Sequence, residues 1–529
     1  MASPDFRLNV NTPAPVRTDA VIQHSHHGVS LFVHMALSLQ AIPACGSVVC
    51  AGRVIRLDVR LVLLSPTPPP SHRELRSEPQ CSSLLFPAGG RGALTQMAAG
   101  SPAGGEIRPY HLIVFGASGF TGRFVVEEVA RACSAGPGGT LKWAIAGRSR
   151  DRLEKVLLQA AQALSKPELR SVEVIVADVA QPESLAIMCK QGVVVLNCVG
   201  PYRFYGEPVV KACIENGTHY IDICGEPQFL EGMQLNYHSK AQEKGVYVIG
   251  SCGFDSIPAD MGILYTKDQF KGTLTAVESF LTVSTGPEGG CGHEATWQSA
   301  IFGFADSASL RSLRKKFGHK PLPVVGAAIK KRGAVFYSKE IQQYSIPFMG
   351  SDRSVVRRTQ RYMQQEHQQA PVQYAAYVGI GGVFSVAKTL FAGLMFWLMT
   401  KFSIGRSLLI QFPEFFSFGM FSKAGPSKRQ MEGTSFCLSF FGEGYSDGRD
   451  PSQGKPDATI TTQIKGPEPG YVATPITMVQ AAITLLSEPQ CLPETGGVYT
   501  PGSAFARTTL TERLNKHGVQ FCVTNARKS

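Results

Sequence analysis

The chain has 529 residues, of which 43% are apolar and 17% are charged, and its formal net charge is +12 at pH 7. This length indicates two or three domains, and the composition excludes a largely disordered protein. The excess positive charge is local, because residues 311–361 hold thirteen Lys and Arg against two acids. A globally basic protein that binds nucleic acid is therefore not indicated. The thirteen cysteines are scattered without a C-x-x-C pair, so we predict no metal site, no disulfide framework and an intracellular location.

Residues 1–106 differ in composition from the rest of the chain and are predicted to be a low-order N-terminal extension. The first 96 residues are rich in Pro, Ser, Arg and Gly and contain no lysine. The apolar stretch at 29–44 is too far from the terminus for a secretory signal peptide. A mitochondrial transit peptide stays open, although three acids weaken it: Asp5, Asp19 and Asp58. Met97 begins a short stretch of small residues that leads into the first strand. We therefore interpret the 96 residues before it as dispensable for folding.

Residues 110–122 read Y-H-L-I-V-F-G-A-S-G-F-T-G and are the organising element of the chain. An apolar run at 112–115 predicts a strand buried on both faces of a parallel sheet, and apolar residues recur at helical spacing after the glycines. In this context a dinucleotide pyrophosphate sits against the helix N-terminus, although a glycine-rich turn of another α/β protein is the alternative. The predicted cofactor-binding residues here are Gly116, Ala117, Ser118, Gly119, Phe120, Thr121 and Gly122.

The residues after the second predicted strand, 143–146, select the cofactor. A dinucleotide fold places an acid there when NAD is bound, and an arginine accommodates the 2′-phosphate of NADP. The sequence has Arg148 and Ser149 at this point, with Arg150 and Arg152 close by. NADP is therefore favoured and NAD remains open. The alternative is that these arginines are only the solvated start of the next helix.

Two further strands, at 172–177 and 193–197, complete the predicted cofactor edge. Ligands of this architecture bind outside the carboxyl ends of the strands. The cofactor-binding residues predicted from these two strand ends are Asp178, Asn197, Val199, Gly200 and Tyr202. With helices and strands continuing to residue 250, residues 107–250 are predicted to form a Rossmann-type doubly wound parallel sheet.

Residues 251–509 are predicted to form a second, α+β domain that binds substrate. Strands are expected at 274–284, 434–441 and 458–464. Tyr202 and Asp255 are the candidate catalytic residues, but no convincing acid–base pair stands out. Asp255 lies in D-S-I-P, which is also typical of a helix N-cap, and the cap is the preferred interpretation. His293 in G-C-G-H-E could shuttle a proton, but a lone loop histidine more often has no such role, and that is the preferred interpretation.

Residues 377–399 contain one charge, Lys388, and as a helix would span roughly 34 Å against a hydrocarbon core of about 30 Å. A second apolar cluster extends to Phe421, so a hydrophobic hairpin or interfacial helices are as compatible as one crossing. A buried core helix is the alternative. The basic block just upstream favours a lipid surface, since a cationic patch beside an apolar anchor binds anionic lipid. Segment 377–421 is therefore predicted to associate with a membrane or a lipid droplet.

Five stretches together resemble the saccharopine dehydrogenase family: G-A-S-G-F-T-G, A-G-R-S, N-C-V-G-P-Y-R-F-Y-G-E-P, G-F-D-S-I-P-A-D and Y-S-I-P-F-M-G-S-D. The resemblance implies a Rossmann domain carrying NAD(P), joined to an α+β substrate domain. It also implies that residues 510–529 return to the Rossmann domain, and it brings an expectation of lipid-droplet association. We find no motif that would bind the two carboxylates of saccharopine, so saccharopine is not assumed to be the substrate.

The function expected is an NAD(P)-dependent oxidoreductase acting on an unidentified, lipid-linked substrate at a lipid droplet or the cytosolic face of a membrane. Similarity to trans-acting enoyl reductases implies the apolar substrate. The alternative is a catalytically silent Rossmann-fold protein that serves as a lipid-surface interaction partner. The mitochondrion stays open as a location, and a homodimer stays open as an assembly.

Overall fold

The computed structural model describes residues 108–528. The predictions for the N-terminal extension, including Met97, lie outside the described residues. The first part of the described chain alternates strands and helices. Its elements are β1 (Tyr110–Phe115), α1 (Phe120–Arg131), β2 (Trp143–Gly147), α2 (Arg150–Ala163), β3 (Glu173–Val176), α3 (Pro182–Gln191), β4 (Gly192–Asn197), α4 (Tyr202–Glu215), β5 (His219–Asp222), α5 (Pro227–Glu243), β6 (Tyr247–Ile249) and α6 (Ile257–Gln269).

The rest of the chain mixes longer strands with helices. Its elements are β7 (Thr273–Ser284), β8 (Gly292–His293), α7 (Glu294–Ala305), α8 (Ser307–Phe317), β9 (Phe336–Ser338), β10 (Gln343–Pro347), α9 (Asp352–His367), β11 (Gln373–Gly381), α10 (Val383–Thr400), α11 (Ser403–Gln411), α12 (Pro413–Phe416), β12 (Phe421–Ser422), α13 (Lys428–Glu432), β13 (Ser435–Tyr445), β14 (Ala458–Pro467), α14 (Thr474–Ser487), β15 (Gly497–Tyr499), α15 (Pro501–Phe505), α16 (Leu510–Lys516) and β16 (Gln520–Lys528). Short 3₁₀ turns lie at Cys133–Ala135, Pro137–Gly139, Pro167–Ser171 and Pro489–Cys491, and a π turn lies at Pro469–Ala473.

Two large sheets organise these elements. The first has the order β15-β6-β5-β4-β1-β2-β3, and all of its pairings are parallel. The apolar run of β1 is buried on both faces, as a strand between two helical layers requires. The second has the order β16-β14-β13-β7-β11-β10-β9 and is antiparallel except for the β7–β11 pair. The predicted fold class, a doubly wound parallel sheet with a second α+β domain, is confirmed.

Three predicted elements differ from the structure. The helix that the sequence predicts at 208–216 begins earlier, at Tyr202, and tolerates Pro208 inside it. Strand β15, assigned by sequence to the second domain, pairs with β6 of the first sheet. The last strand, β16, pairs with β14 of the second sheet, whereas α16 just before it packs on α14, which in turn packs on α1 of the first domain. A strand of three residues and an exposed terminal strand carry too little periodicity to reveal their partners.

The predicted apolar helix at 377–399 is wrong in its first part. Residues 377–381 are the end of strand β11, and Gly381, with φ +79°, ends the strand before α10 begins at Val383. The helix therefore has 18 residues, and α11 and α12 follow it directly. Residues 383–418 are called the apolar hairpin below.

One stripe of the apolar hairpin packs on the second domain and the remainder is exposed. The buried residues of α10 recur every three or four positions: Thr389, Ala392, Gly393, Phe396 and Thr400. Phe396 packs against Trp297 and Phe304 of α7, with ring centroids 5.3 Å and 4.9 Å apart. Of the 22 large apolar side chains exposed in residues 108–528, 14 belong to the apolar hairpin.

Two described helical segments are long and apolar enough to cross a membrane, Val383–Thr400 and Pro469–Ser487. Within Pro469–Ser487, 78% of the apolar stretch is buried, so this segment is a core helix. Within Val383–Thr400 only 28% is buried. A helix exposed to this degree is unusual for a protein surface that faces only water.

Candidate functional site

The glycine turn after β1 leaves its backbone open toward a ligand. Gly116 has φ +83°, and a Cβ there would lie 2.7 Å from Val199 Cγ2. A Cβ at Gly122 would collide with the Gly116 carbonyl, so only glycine lets α1 approach the turn this closely. No side chain caps α1, and its first turn carries no acid. Unpaired N–H groups and the positive end of the helix dipole therefore face the space beside Gly119, which fits an anionic pyrophosphate.

Arg148 stands exposed immediately after β2, at the position that contacts the ribose in a dinucleotide fold. Ser149 caps α2, since its Oγ accepts from the Arg152 backbone N–H at 3.5 Å. Arg150 is used within the protein, because its Nη2 donates to the Val174 carbonyl at 3.0 Å. Of the two arginines Arg148 and Arg150, it is therefore Arg148 that is available to a 2′-phosphate.

Asp178, at the carboxyl end of β3, is half-buried and stabilises its own turn. Its Oδ1 accepts from the Ala180 backbone N–H at 3.0 Å, and its backbone N–H donates to Ser184 Oγ at 3.0 Å. The structure thus places this predicted cofactor residue at the sheet edge with one carboxylate oxygen engaged.

A buried polar network supports the loop after β4. Asn197 Nδ2 donates to the Tyr220 hydroxyl at 3.0 Å, and Asn197 Oδ1 accepts from the Val199 backbone N–H at 3.1 Å. Tyr220 in turn donates to Asp222 Oδ2 at 2.9 Å. Tyr202 donates its hydroxyl to the Asn197 carbonyl at 2.8 Å. These residues hold the loop rigid, and the Tyr202 hydroxyl is directed at backbone rather than at a substrate.

A cleft of about 720 Å³ lies outside the carboxyl edge of the first sheet, between that sheet and helices α7 and α9 of the second domain. Six of the predicted site residues line it: Gly119, Phe120, Thr121, Gly200, Tyr202 and Asp255. The other predicted residues form or flank the same edge without lining the cleft: Gly116, Ala117, Ser118, Gly122, Arg148, Ser149, Asp178, Asn197 and Val199.

Phe120, the first residue of α1, joins the cofactor turn to the second domain. Its ring stacks on His293 at 4.4 Å and meets Tyr471 edge to face at 4.8 Å. His293 donates its backbone N–H to the Tyr471 hydroxyl at 2.7 Å, and its Nδ1 accepts from the Ala295 backbone N–H at 3.2 Å. His293 thus has a structural role, which the sequence did not reveal. It caps α7 and fixes the wall of the cleft beside the glycine turn.

An ion pair that the sequence did not reveal fixes the opposite wall. Arg203 Nε donates to Glu226 Oε2 at 2.7 Å, and both side chains are close to fully buried. Glu226 Oε1 accepts from the Tyr202 backbone N–H at 3.0 Å and from Ser299 Oγ at 3.1 Å. The pair thus ties the start of α4 to α7. The sequence predicts that Glu226, just past a strand end, lies on the ligand side of the sheet, but it does not reveal Arg203 as its partner.

Asp255 faces the cleft rather than capping a helix. The N-cap of α6 is Ser256, whose side chain makes no capping hydrogen bond, so the preferred sequence interpretation of Asp255 is wrong. Asp255 Oδ2 lies 3.2 Å from the point that a Gly225 Cβ would occupy, which places the carboxyl above the end of β5. Burial raises the pKa of Asp255 from 3.8 to about 6.

Asp352 is a second buried carboxyl group beside Asp255, and the sequence did not reveal the pairing. Burial, followed by the charge of Asp255, raises the pKa of Asp352 well above its usual value. The two carboxyl groups therefore lie close enough for the charge of Asp255 to disfavour ionisation of Asp352, an arrangement typical of acid–base sites. Asp352 opens α9 about 100 residues further along the chain, so only the fold brings the two together.

The basic block at 311–361 is not one free cationic face. Arg332 is held by Glu278 at 2.6 Å and by Glu340 at 3.2 Å, and these carboxylates raise its pKa. Arg314 is held by Glu231 at 2.6 Å. Arginines of α9 line cavities instead, including Arg353 at the cofactor cleft. The predicted cationic contribution to lipid binding is therefore smaller than the residue count indicates.

No group of three His, Cys, Asp or Glu that could hold a metal occurs among residues 108–528. The ten cysteines in this range are all free thiols. Cys198, at the cleft, has its pKa raised to about 12 by burial and by the charge of Asp222, so it is not a reactive thiolate.

Residues 112–249 match the family described as "Saccharopine dehydrogenase NADP binding domain". The chain is 62% identical over 420 residues to the saccharopine dehydrogenase-like oxidoreductase of Mus musculus, a match that covers 79% of this chain and 98% of the mouse protein. The family match confirms NADP as the predicted cofactor.

Two more distant relatives carry names that state a location. The chain is 39% identical over 422 residues to the lipid droplet localized protein of Caenorhabditis elegans, covering 78% of this chain and 97% of the relative. It is 36% identical over 438 residues to an oxidoreductase of Arabidopsis thaliana whose name places it in the mitochondrion. This match covers 78% of this chain and 96% of the relative. The relatives thus include both kinds of location considered above.

Proposed function

The chain belongs to the saccharopine dehydrogenase-like oxidoreductase family, and on that premise we propose that it is an NADP-dependent oxidoreductase acting on a lipid-linked substrate at a lipid surface. One observation carries this proposal. Helix α7 separates the cofactor cleft from the apolar hairpin and belongs to both, since Ala300 and Phe304 line the cleft while Phe304 and Trp297 pack on Phe396. A single helix layer therefore lies between the cofactor edge and the exposed apolar surface.

The cofactor end of the proposal rests on the glycine turn and on the helix that follows it. A Cβ at Gly116 would collide with Val199 and a Cβ at Gly122 with the Gly116 carbonyl, so glycines are needed to form this turn, and no side chain caps the N-terminus of α1. Arg148 is exposed at the ribose end of the edge. NADP, when bound, supplies or accepts a hydride, and the residues of this chain hold it against the cleft and exclude water. These features fit a 2′-phosphorylated dinucleotide with its pyrophosphate at Gly119.

Asp255 is the proposed acid–base group. It lies in the cleft above β5, and its raised pKa of about 6 lets it hold or release a proton near neutral pH. Burial and the charge of Asp255 raise the pKa of the neighbouring Asp352, which favours its protonated form beside Asp255. Tyr202, the other sequence candidate, is the weaker choice because its hydroxyl already donates to the Asn197 carbonyl.

The apolar hairpin is the proposed lipid-binding element. Its exposed side chains include Phe384, Phe402 and Phe415, which are 88%, 67% and 75% exposed. Because the opposite stripe of α10 packs on α7, the helix is suited to lie in the plane of the surface rather than to cross it. A monolayer or the cytosolic face of a bilayer satisfies this geometry, and the name of the C. elegans relative favours the lipid droplet.

Transfer of deuterium tests the catalytic part of the proposal. The purified protein is incubated with NADPH deuterated at the nicotinamide C4 and with a total lipid extract, and the products are analysed by mass spectrometry. We expect label in one lipid species with the unmodified chain and none with Asp255→Asn, which should still bind NADPH. Label confined to water-soluble products would contradict the lipid-linked substrate.

A catalytically silent lipid-surface protein is the second candidate, and it has one observation in its favour. The hydroxyl of Tyr202, the obvious donor at the cleft, is committed to the backbone. Tight NADPH binding without label in any lipid or aqueous product would favour this candidate. Retained NADPH binding with label that is lost in Asp255→Asn would exclude it.

A further inference from the structure

A second cavity, of about 800 Å³, lies beside the cofactor cleft between α5, α9 and the turn from β15 into α15. Its lining includes five arginines and three histidines against three glutamates. The arginines are Arg314, Arg357, Arg358, Arg361 and Arg507. The cavity belongs to the edge of the first sheet farthest from β3, whereas the glycine turn follows β1 near the sheet centre. It is therefore distinct from the dinucleotide site.

Much of the positive charge in this cavity is not neutralised by the protein. Arg314 is bound by Glu231 through two nitrogens. Arg358 donates its Nε to the neutral Gln234 Oε1 at 2.7 Å and forms no ion pair among residues 108–528, although Glu231 and Asp260 act on its charge at longer range. Within the described part of the chain, Arg357 and Arg361 make neither an ion pair nor a hydrogen bond. Three guanidinium groups of one helix thus line a partly open cavity with N–H donors to spare.

The spacing of these arginines makes the repulsion among them unavoidable. Residues 357 and 361 are one helical turn apart on α9, so their side chains share a face. Burial, then the charges of Arg314 and Arg353, lowers the pKa of Arg357. Burial, then the charge of Arg357, lowers the pKa of Arg361. A cavity that gathers like charges in a half-buried setting is stabilised by an anion that bridges them.

We propose that this cavity binds a small organic phosphate. Guanidinium forks match the oxygens of a phosphate group with two parallel hydrogen bonds. Tyr362 and Tyr499, whose rings meet edge to face at 5.6 Å, give the same cavity an aromatic wall for the carbon part of the ligand. The inference does not rest on the proposed catalysis, because none of its residues belongs to the cofactor turn.

The cavity also communicates with the cofactor cleft. Arg314, Ser354 and Arg357 line both spaces. Ser354 Oγ donates to Glu231, the carboxylate that also holds Arg314. A phosphate that draws Arg357 into the second cavity removes a positive charge from the cleft. Occupancy of the cavity is thus expected to alter binding of an anionic substrate at the cleft.

Titration calorimetry with inorganic pyrophosphate tests the proposal, with the full chain kept saturated with NADPH so that the dinucleotide site is filled. We expect saturable binding, weakened at least about tenfold in Arg361→Gln, since a charge-assisted hydrogen bond is lost. Arg358→Gln should behave similarly. Lys428→Gln removes the same charge from an exposed site, 85% exposed, and should bind pyrophosphate like the unmodified chain. Melting curves establish that each variant is folded.

The phosphate could be free or part of a lipid head group, and a second arm separates the two. Phosphatidylcholine vesicles with and without phosphatidic acid are floated with the unmodified chain and with Arg361→Gln. Pyrophosphate binding that depends on Arg361 identifies a free phosphate. A preference for phosphatidic acid that depends on Arg361, without pyrophosphate binding, identifies a lipid head group. If neither probe distinguishes folded Arg361→Gln from Lys428→Gln, the cavity is not a phosphate site.

Discussion

Changing Phe391, Leu394, Trp397 and Leu398 to serine should release the protein from lipid while leaving its fold intact. These side chains are 60%, 57%, 48% and 45% exposed, so about half of each is still available to enter a lipid phase. Full burial of such a side chain contributes about 1.5–3 kcal/mol, so the available half contributes about 1 kcal/mol each. The four together contribute about 4 kcal/mol, which corresponds to a roughly thousandfold change in partitioning.

The assay is flotation with neutral phosphatidylcholine vesicles at high salt, where charge contributes little. The unmodified chain should float and the fourfold variant should remain in the dense fraction with an unchanged melting temperature. Leu158→Ser, on α2 of the cofactor domain and 41% exposed, is the matched surface control and should float normally. A fourfold variant that still floats would refute the reasoning, and so would an unmodified chain that never floats.

Phe396→Ser separates lipid binding from core packing on the same helix. Phe396 is 2% exposed and packs on Trp297 and Phe304, so its removal should destabilise the fold by about 3–5 kcal/mol. This variant is expected to melt early rather than simply to detach. If it detached without losing stability, the assignment of the inner stripe to the protein core would be wrong.

Three further outcomes follow from the cofactor site. Arg148→Asp should weaken NADPH binding about tenfold or more and favour NADH, as measured by nucleotide fluorescence titration; unchanged preference would place the 2′-phosphate elsewhere. Gly122→Ala should abolish NADPH binding, because its Cβ would collide with the Gly116 carbonyl, while Gly382→Ala, where a Cβ meets nothing and φ is −90°, should bind normally. Asp255→Asn should stabilise the protein above about pH 6. The pKa of Asp255 is raised from 3.8 to about 6 in the folded protein. The stability that this carboxyl group contributes is therefore present below about pH 4 and is lost as the pH rises through 6. Urea unfolding should show a gain of up to about 3 kcal/mol at pH 8 and none near pH 4, and equal gains at both would contradict the assignment.

The cofactor half of the molecule could be predicted because local sequence and global fold agree there. The apolar run at 112–115 needs burial on both faces, and the close packing of the turn against Val199 and against α1 requires glycine at positions 116 and 122. The pattern G-x-x-G-x-x-G therefore specified both the turn and the uncapped helix that follows. A motif can be recognised in a single sequence when the local sequence pattern and the global fold require the same residues.

The acid–base site and the lipid-binding face could not be predicted in the same way. Asp255 and Asp352 meet only because α6 and α9 pack together, and D-S-I-P looked like a helix start because it is one, with Ser256 rather than Asp255 at the cap. Helical periodicity placed Phe396 and Trp397 on the same apolar segment, but which of them faces α7 depends on tertiary packing. Likewise, the basic run showed an excess of charge without showing that part of it lines a cavity.

Strand β15 has a consequence for how this protein is made. Gly497 pairs with Tyr247, so the first sheet takes its last strand from a part of the chain synthesised about 250 residues later. Until then β6 is an open edge, able to pair with a neighbouring nascent chain. During synthesis on the ribosome, the sheet of the cofactor domain therefore lacks its last strand until nearly all of the second domain has been translated. A prematurely terminated chain lacking residues 497–499 would keep the whole glycine turn but expose β6 as an unpaired edge strand. Chaperones and proteases can recognise such a defect.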